Sequence, residues 1–204
     1  MTLDVRALRA GIDRVGAAME RDFEVLNAAD GALGDGDLGV TMTRGMRAMR
    51  EQADDLPDDL GMALLRCAQA FTKSSGSSYG TLLATGIMAM ARDLKGETEI
   101  SPERISSLVS LARDQMQARG KAELGGKTVL DSLDAVAAAT SGKSEPTEVA
   151  DAAARAVEDA LTVFRGKPAT VGRARIFGEK SVGLDDPGML AMTRIVQALA
   201  DRED

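Results

Sequence analysis

One short stretch of the chain, from Asn27 to Thr41, carries three carboxylates interleaved with glycines. The carboxylates are Asp30, Asp35 and Asp37, and the glycines are Gly31, Gly34, Gly36 and Gly39. Glycine adopts backbone angles closed to other residues, so such a segment can turn tightly and direct several carboxylates at one point. A hard divalent cation relieves their repulsion, and Mg²⁺ held by carboxylates commonly completes its shell with water and phosphates. The stretch therefore predicts a Mg²⁺–nucleotide site, with a plain polar turn between helices as the alternative.

The residues before this stretch predict a helix that ends at the carboxylates. Apolar side chains recur at steps of three and four: Leu8, Ile12, Val15, Met19, Phe23 and Leu26. This spacing is typical of an amphipathic helix of about six turns. The same face continues to Asn27 and Asp30, so we expect Asp30 to point inward, where a lone carboxylate is costly unless a cation pairs with it. A second helix is expected to begin near Asp37 to Gly39, and its free N–H groups would favour a phosphate at the same place.

Composition predicts one globular domain over residues 1–204 and excludes several kinds of function. Hydrophobic residues make up 44% and charged residues 28% of the 204 positions, which is ordinary for a globular protein. The net charge is −7 and only 2% of residues are aromatic, so a nucleic-acid surface is not expected. The chain has no histidine, which excludes a Ser-His-Asp triad and a histidine-bound metal.

The same inventory predicts a cytoplasmic protein that does not enter a membrane. Cys67 is the only cysteine, so an internal disulfide is impossible and a reducing compartment is favoured. The first residues, Met1 to Arg6, lack the apolar core expected of a signal peptide, and no run of about 18 apolar residues occurs.

Helical periodicity runs through the whole chain and is interrupted by polar loops. Four of these loops lie at 27–41, 73–81, 120–128 and 166–188. Each joins an odd-numbered predicted helix to the next even-numbered one. The sequence therefore predicts an all-α, eight-helix antiparallel up-and-down bundle with all four loops at one end. The last loop carries three cations in an acidic protein: Arg173, Arg175 and Lys180.

Four motifs, in this order, resemble one known family. They are Leu26-Asn27…Asp30-Gly31…Gly34-Asp35-Gly36-Asp37, Ser75-Gly76…Tyr79-Gly80, Gly126-Lys127-Thr128…Asp131 and Gly172-Arg173-Ala174…Gly178-Glu179-Lys180-Ser181-Val182-Gly183…Asp186-Pro187-Gly188. The family is the nucleotide-binding L subunit, DhaL type, of dihydroxyacetone kinases. The likeness covers nearly the whole chain, and four ordered motifs are far more specific than one.

The resemblance implies an eight-helix barrel with ADP or ATP at one end. It implies that Asp30, Asp35 and Asp37 hold two Mg²⁺ ions that bridge the nucleotide phosphates. The implied lining of the nucleotide is Leu38, Gly39, Val40, Thr41, Ser77, Ser78, Gly120, Thr128, Val129, Arg173, Asp186, Pro187 and Gly188. The implied partner is a substrate-binding, K-type subunit that holds a small ketose covalently through a histidine. The absence of histidine from this chain agrees with a substrate held elsewhere.

These observations lead to a hypothesis of phosphoryl transfer from a Mg²⁺-bound nucleotide to a small ketose on the partner subunit. The three aspartates and Arg173 would be the catalytic residues, and no nucleophile is needed from this chain. Two phosphoryl donors remain open: exchanging ATP, or a resident ADP recharged by a phosphocarrier protein. A regulatory module that binds nucleotide and docks a partner without turnover is the alternative from another class. A purely structural protein is disfavoured, because it gives no reason for the clustered aspartates.

The chain departs from the family pattern at two places. Leu38 stands where the family usually has histidine, and Ser77-Ser78 replaces a usual Pro-Leu pair. Both changes leave open a kinase for a different triose or tetrose.

Overall fold

The structure is a computed structural model that describes residues 2–74 and 76–201. Ser75, which belongs to the second family motif, lies outside the described residues. The α-helices are α1 Val5–Arg21, α2 Phe23–Leu33, α3 Leu38–Arg50, α4 Leu60–Ser74, α5 Ser78–Asp93, α6 Arg104–Gly120, α7 Val129–Thr140, α8 Pro146–Arg165 and α9 Pro187–Ala200. Short 3₁₀ helices span Ala53–Asp55 and Ala174–Ser181. Two short strands, β1 (Leu3–Asp4) and β2 (Glu99–Ile100), pair antiparallel.

The first predicted helix is divided in two at Asp22. The N–H of Asp22 still donates to the carbonyl of Ala18 at 2.9 Å, and its own carbonyl accepts from Leu26 at 2.9 Å. Its backbone departs from helical angles, with φ −95° and ψ 12°. The carboxylate pairs with Arg21 and with Arg194 of α9, at 3.1 and 3.4 Å. The apolar periodicity continues through the break, so the sequence pattern did not reveal it. Helices α1 and α2 together correspond to the first of the eight predicted helices.

The helices form a closed ring. From α3 to α9 each helix packs against the next, and α9 packs against both α8 and α1. Helices that follow one another through short connections and pack side by side run antiparallel. The expected all-α, eight-helix antiparallel barrel is confirmed.

Small residues let neighbouring helices approach closely around the core. Phe71 of α4 is fully buried, and a Cβ atom on Gly45 of α3 would lie only 2.2 Å from its ring. Burial of such a side chain stabilises the fold by about 1.5–3 kcal/mol. The core continues through Met19 and Met42 to Leu38, directly beneath the end of the barrel where α3 begins.

A second, smaller apolar cluster lies at that same end. Leu33, the last residue of α2, packs with Ala169 and Ala174, and Phe177 covers them. The cluster seats the 166–188 segment on α2, beside the acidic stretch.

Among residues 2–74 and 76–201, none of the helices combines the length and apolar character needed to cross a bilayer.

Candidate functional site

All four polar loops contribute to one cleft at this end of the barrel. The cleft has a volume of about 450 Å³, a size typical of small-molecule sites. Its walls come from the first loop, from Ser74 and residues 76–79, from the start of α7, and from residues 171–174 and 186–188. The up-and-down order thus brings together segments more than 100 positions apart in sequence.

The three aspartates converge at one edge of the cleft. One carboxylate oxygen from each of Asp30, Asp35 and Asp37 lies within 4.8 Å of the other two. Asp30 is half-buried and the other two are exposed. Three carboxylates this close repel one another, and hard oxygen donors are the ligands that Mg²⁺ prefers. The donor set therefore fits a hard divalent cation.

Asp30 also organises the loop through hydrogen bonds to the backbone. Its Oδ2 accepts from the N–H groups of Asp37 and Leu38, at 2.9 and 3.2 Å. The Asp30 carboxylate, which we expected to point inward, therefore holds the backbone at the start of α3. Gly34 must be glycine for the same reason, because a Cβ there would lie 2.2 Å from Asp30 Oδ1. Gly36 adopts φ 80°, a conformation that glycine reaches without steric cost.

The junction between α2 and α3 depends on Gly39. The side-chain oxygen of Asn27 accepts a hydrogen bond from the Gly39 N–H at 2.8 Å. A Cβ on Gly39 would lie 2.3 Å from the carbonyl oxygen of Phe23. The first turn of α3 is therefore held directly against the backbone of α2.

We expect Gly39→Ala to lower the free energy of unfolding by about 2–3 kcal/mol, because the added methyl group forces α2 and α3 apart. Urea denaturation monitored by circular dichroism measures the change. Gly166→Ala is the matched control, since its Cβ would meet its nearest atom at 3.8 Å and its φ is −78°. Equal small losses in both variants would contradict the close approach at Gly39.

Arg173 reaches across the cleft and forms an ion pair with Asp35. The hydrogen bond from Arg173 is the main cause that lowers the pKa of Asp35, and the same contact raises the pKa of Arg173. Both groups are exposed, so the pair adds little to stability. The ion pair instead fixes geometry, because it holds the cationic 166–188 segment beside the three aspartates.

Four helices begin at the cleft: α3, α5, α7 and α9. Ser77 caps α5 by accepting from the N–H of Gly80 at 3.0 Å, and Asp186 caps α9 by accepting from Met189 at 2.9 Å. The hydroxyl of Tyr79 donates to the carbonyl of Gly188 at 3.0 Å and joins these two helix starts. Helix N-termini present unpaired N–H groups and a positive dipole end. The cleft is therefore built to attract an anion, although the chain is acidic overall.

The N-caps of α9 and α7 each involve an aspartate side chain. Burial raises the pKa of Asp186 to about 6, although hydrogen bonds from the backbone of Met189 and Gly188 oppose the shift. At α7, the Thr128 hydroxyl accepts from Leu130 at 3.3 Å, and Asp131 accepts from the Thr128 N–H at 2.8 Å. This capping box fixes the start of α7 against the cleft.

Most of the predicted lining residues do face the cleft. They are Leu38, Val40, Thr41, Ser77, Ser78, Thr128, Val129, Arg173, Asp186, Pro187 and Gly188. Gly39 and Gly120 do not line it. Gly39 is buried against α2, and Gly120 ends α6 beside Leu82, a residue that does line the cleft. A role for either glycine in contacting the nucleotide remains a prediction.

Several lining residues were not predicted: Leu33, Arg44, Ser74, Gly76, Tyr79, Leu82, Val171, Gly172 and Ala174. Arg44 is the most informative of them, because it is exposed and makes no ion pair with any described residue. It lies one helical turn after Val40, so the 3.6-residue period could have found it.

Fold and cleft together define a helical barrel whose end carries four helix N-termini and a candidate cation site. The family model of the DAK2 domain matches residues 32–201. The chain belongs to the DAK2 domain family.

Relatives of the same length are kinase subunits. The chain is 27% identical over 204 residues to the ADP-binding subunit DhaL of PEP-dependent dihydroxyacetone kinase 1 from Listeria innocua, covering 100% of this chain and 99% of that protein. It is 28% identical over 194 residues to the corresponding Escherichia coli K12 subunit, covering 93% and 92%. The resemblance to DhaL-type subunits that the motifs indicated is confirmed.

Longer proteins contain a similar region. Human triokinase/FMN cyclase is 30% identical over 196 residues, which cover 93% of this chain and 34% of that protein. The crystal structure of the dihydroxyacetone kinase from C. freundii in complex with AMP-PNP and Mg²⁺ matches with a TM-score of 0.74 and 25% identity, covering 95% of this chain and 33% of that one.

Proposed function

We propose that this chain is a single nucleotide-binding domain that acts as the phosphoryl-donor subunit of a dihydroxyacetone-kinase-like enzyme. The reaction is phosphoryl transfer from a Mg²⁺-bound nucleotide to a small ketose held by a partner subunit. The observation that carries the proposal is the convergence of three carboxylates and four helix N-termini in one cleft. The full-length relatives, both named ADP-binding subunits, support the same function.

Asp30, Asp35 and Asp37 would hold the magnesium, with two ions expected from the family resemblance. Magnesium bound there supplies charge neutralisation for the phosphates. The N–H groups that the caps leave unbonded in the first turns of α3, α5, α7 and α9 would bind phosphate oxygens, and Arg173 would offset charge on the phosphoryl group in transfer. Leu82, Val129 and Pro187 give the cleft an apolar wall suited to a base ring.

The acceptor and the group that activates it lie on the partner in this proposal. The chain offers no histidine to bind a ketose covalently, so we assign that task to a K-type, substrate-binding subunit. The full-length relatives are named PEP-dependent and ADP-binding, which favours a resident ADP, recharged by a phosphocarrier protein, over exchanging ATP. Mass analysis of nucleotide retained through purification separates these two donors. A cytoplasmic location belongs to the same proposal, because Cys67 is buried and unpaired, as is usual in a reducing compartment.

Two measurements test the proposed function. Isothermal titration should detect stoichiometric binding of ADP that depends on Mg²⁺. The purified chain, mixed with a K-type subunit, should then phosphorylate a member of a panel of trioses and tetroses. Absence of Mg²⁺-dependent ADP binding would defeat the proposal, and binding without turnover on any acceptor or donor would favour the regulatory alternative.

Ile176 marks the surface on which we expect the partner to dock. It is 79% exposed, and it lines a small pocket beside the cleft together with Arg173 and Phe177. Exposed apolar side chains at the rim of a site commonly belong to interfaces. A partner that delivers the acceptor to the cleft must cover this rim.

We expect Ile176→Glu to lower the activity of the two-subunit enzyme by about tenfold or more, while the affinity for Mg²⁺–ADP stays unchanged. Titration of the K-type subunit in a coupled assay, with calorimetry on the isolated chain, measures both quantities. Met62→Glu is the control, because Met62 is also exposed but begins α4 at the opposite end of the barrel. Equal effects of the two substitutions would place the interface elsewhere.

A further inference from the structure

Lys127 is a buried cation without a described carboxylate partner. Its side chain is almost completely enclosed, with the residue only 1% exposed. The ammonium group donates to the carbonyl oxygens of Ser181, Lys167 and Arg165, at 2.7, 2.9 and 3.5 Å. An ammonium has three N–H donors, so the three carbonyls satisfy it completely. Burying an unpaired charge is costly, which makes a purely space-filling role a poor explanation.

The three carbonyl groups lie where the two ends of the segment that carries Arg173, residues 166–183, come together. We call this place the neck of the segment. The chain leaves α8 at Arg165 and returns at Gly183, whose N–H donates to the Arg165 carbonyl at 2.8 Å. Ser181 closes the same neck, because its hydroxyl oxygen accepts from the Ala169 N–H at 2.7 Å. Surface segments of about 16 residues with joined ends form compact Ω-loops. The Lys127 ammonium group lies inside the closure of this loop.

Lys127 also sits beside the start of α7. Its backbone has φ 61°, the left-handed region that residues other than glycine adopt infrequently. The next residue, Thr128, caps α7 and lines the cleft. The preceding residue accepts from the 166–183 segment as well, since the carbonyl of Gly126 bonds the Thr170 N–H at 3.2 Å. A backbone held in such a conformation indicates that the surrounding contacts fix it.

We propose that Lys127 is a positioning residue for the nucleotide site, because its ammonium group holds the 166–183 segment where Arg173 reaches the acidic loop. Lys127 itself does not touch the nucleotide. The part of this inference that concerns ADP rests on the proposed function, and the part that concerns the segment stands on the described contacts alone.

Lys127→Met removes the ammonium donors. The Lys167 carbonyl then loses its partner, and the carbonyls of Ser181 and Arg165 keep only the N–H groups of Leu184 and Gly183. We expect the affinity for Mg²⁺–ADP to fall about tenfold, equivalent to about 1.4 kcal/mol. We also expect the amides of residues 166–183 to exchange hydrogen faster, while those of α1 and α4 are unchanged. Lys180→Met is the matched control, since it removes the same charge from an exposed position of the same segment. Equal effects of the two substitutions would overturn the proposal.

A double-mutant cycle distinguishes positioning from general stabilisation. If Lys127 acts through Arg173, Arg173→Ala should weaken Mg²⁺–ADP binding by about tenfold in the wild type but by less than about twofold in the Lys127→Met background. Losses that multiply in the double variant would show that the two residues act independently, and the proposal would fall.

If Lys127→Met does not fold, Ser181→Ala provides a second test of the same inference. It loosens the same neck by removing the hydroxyl that bonds Ala169 and Gly178, and it should also speed exchange in 166–183. If the wild-type chain binds no Mg²⁺–ADP, the proposed function fails, and exchange alone then decides the role of Lys127. Unchanged hydrogen exchange of the 166–183 amides in the variants would refute the positioning role of Lys127. Faster exchange confined to that segment would support this role.

Discussion

Replacing Asp35 and Asp37 together by asparagine is expected to lower kcat/KM for phosphoryl transfer by at least about a thousandfold. Asparagine preserves the size of each side chain but removes two of the three charges that converge within 4.8 Å. A site left with Asp30 alone cannot hold Mg²⁺–nucleotide, because one carboxylate offers too little charge and too few ligands. The coupled kinase assay with the K-type subunit measures the loss, and titration with Mg²⁺–ADP should show no binding.

Stability measurements separate this loss from misfolding. Without Mg²⁺ the double variant should melt at or slightly above the wild-type temperature, because two repelling charges are gone and the exposed Asp35–Arg173 pair contributes little. The upward shift that Mg²⁺–ADP gives the wild type should disappear. The charge-matched control is Asp54→Asn with Asp58→Asn, both exposed and outside the cleft. Retention of more than about a tenth of the activity by the Asp35/Asp37 variant would contradict the assignment, since lost metal ligands cost far more.

Arg173→Ala is expected to lower kcat by about a hundredfold or more, whereas affinity for Mg²⁺–ADP should fall only about tenfold. The difference arises because the guanidinium opposes charge that is greatest on the phosphoryl group in transfer, so its contribution is larger in the transition state than in the bound nucleotide. Arg173 is the cationic residue that the 166–188 segment delivers to the acidic trio. Steady-state kinetics of the two-subunit enzyme, compared with calorimetry, measures the two quantities separately.

Arg175→Ala provides the control for Arg173. Arg175 is exposed on the same segment, but it lines the small neighbouring pocket and not the cleft. Its replacement should leave kcat within about twofold of the wild type. If both substitutions had the same effect on kcat, the segment would contribute only overall charge, and the specific role of Arg173 would be wrong.

Spacing in the sequence was sufficient to predict the antiparallel helical bundle and the acidic trio, whereas the barrel was implied by the family resemblance. Apolar periodicity depends on local geometry that the structure preserves, and clustered Asp and Gly residues restrict a loop to few arrangements. The division at Asp22 could not be predicted, because the apolar periodicity continues through it; in the structure the Asp22 carboxylate contacts Arg194, which lies far away in the sequence. The burial of Lys127 could not be predicted either. This residue lies between glycines and polar residues in a loop, and only the packing of the 166–183 segment buries it.

Leu38 illustrates a change whose structural consequence is clear only from the fold. It stands where the resemblance to DhaL-type subunits implies a histidine, and the structure places it at the first position of α3 with the residue only 4% exposed. Its N–H donates to Asp30, a contact that any residue other than proline can make. The loop geometry is therefore preserved with an apolar side chain, and a titratable group is absent from the cleft wall at this point.

The central proposition is that Asp30, Asp35 and Asp37 jointly bind the metal that carries the nucleotide. A crystal structure of the chain with ADP and Mn²⁺, with anomalous scattering used to locate the manganese, tests it most directly. The expected result is manganese coordinated by carboxylate oxygens of all three residues and bonded to the ADP phosphates, with those phosphates at the start of α3. Nucleotide bound elsewhere, or manganese that leaves these three carboxylates uncoordinated, would contradict it.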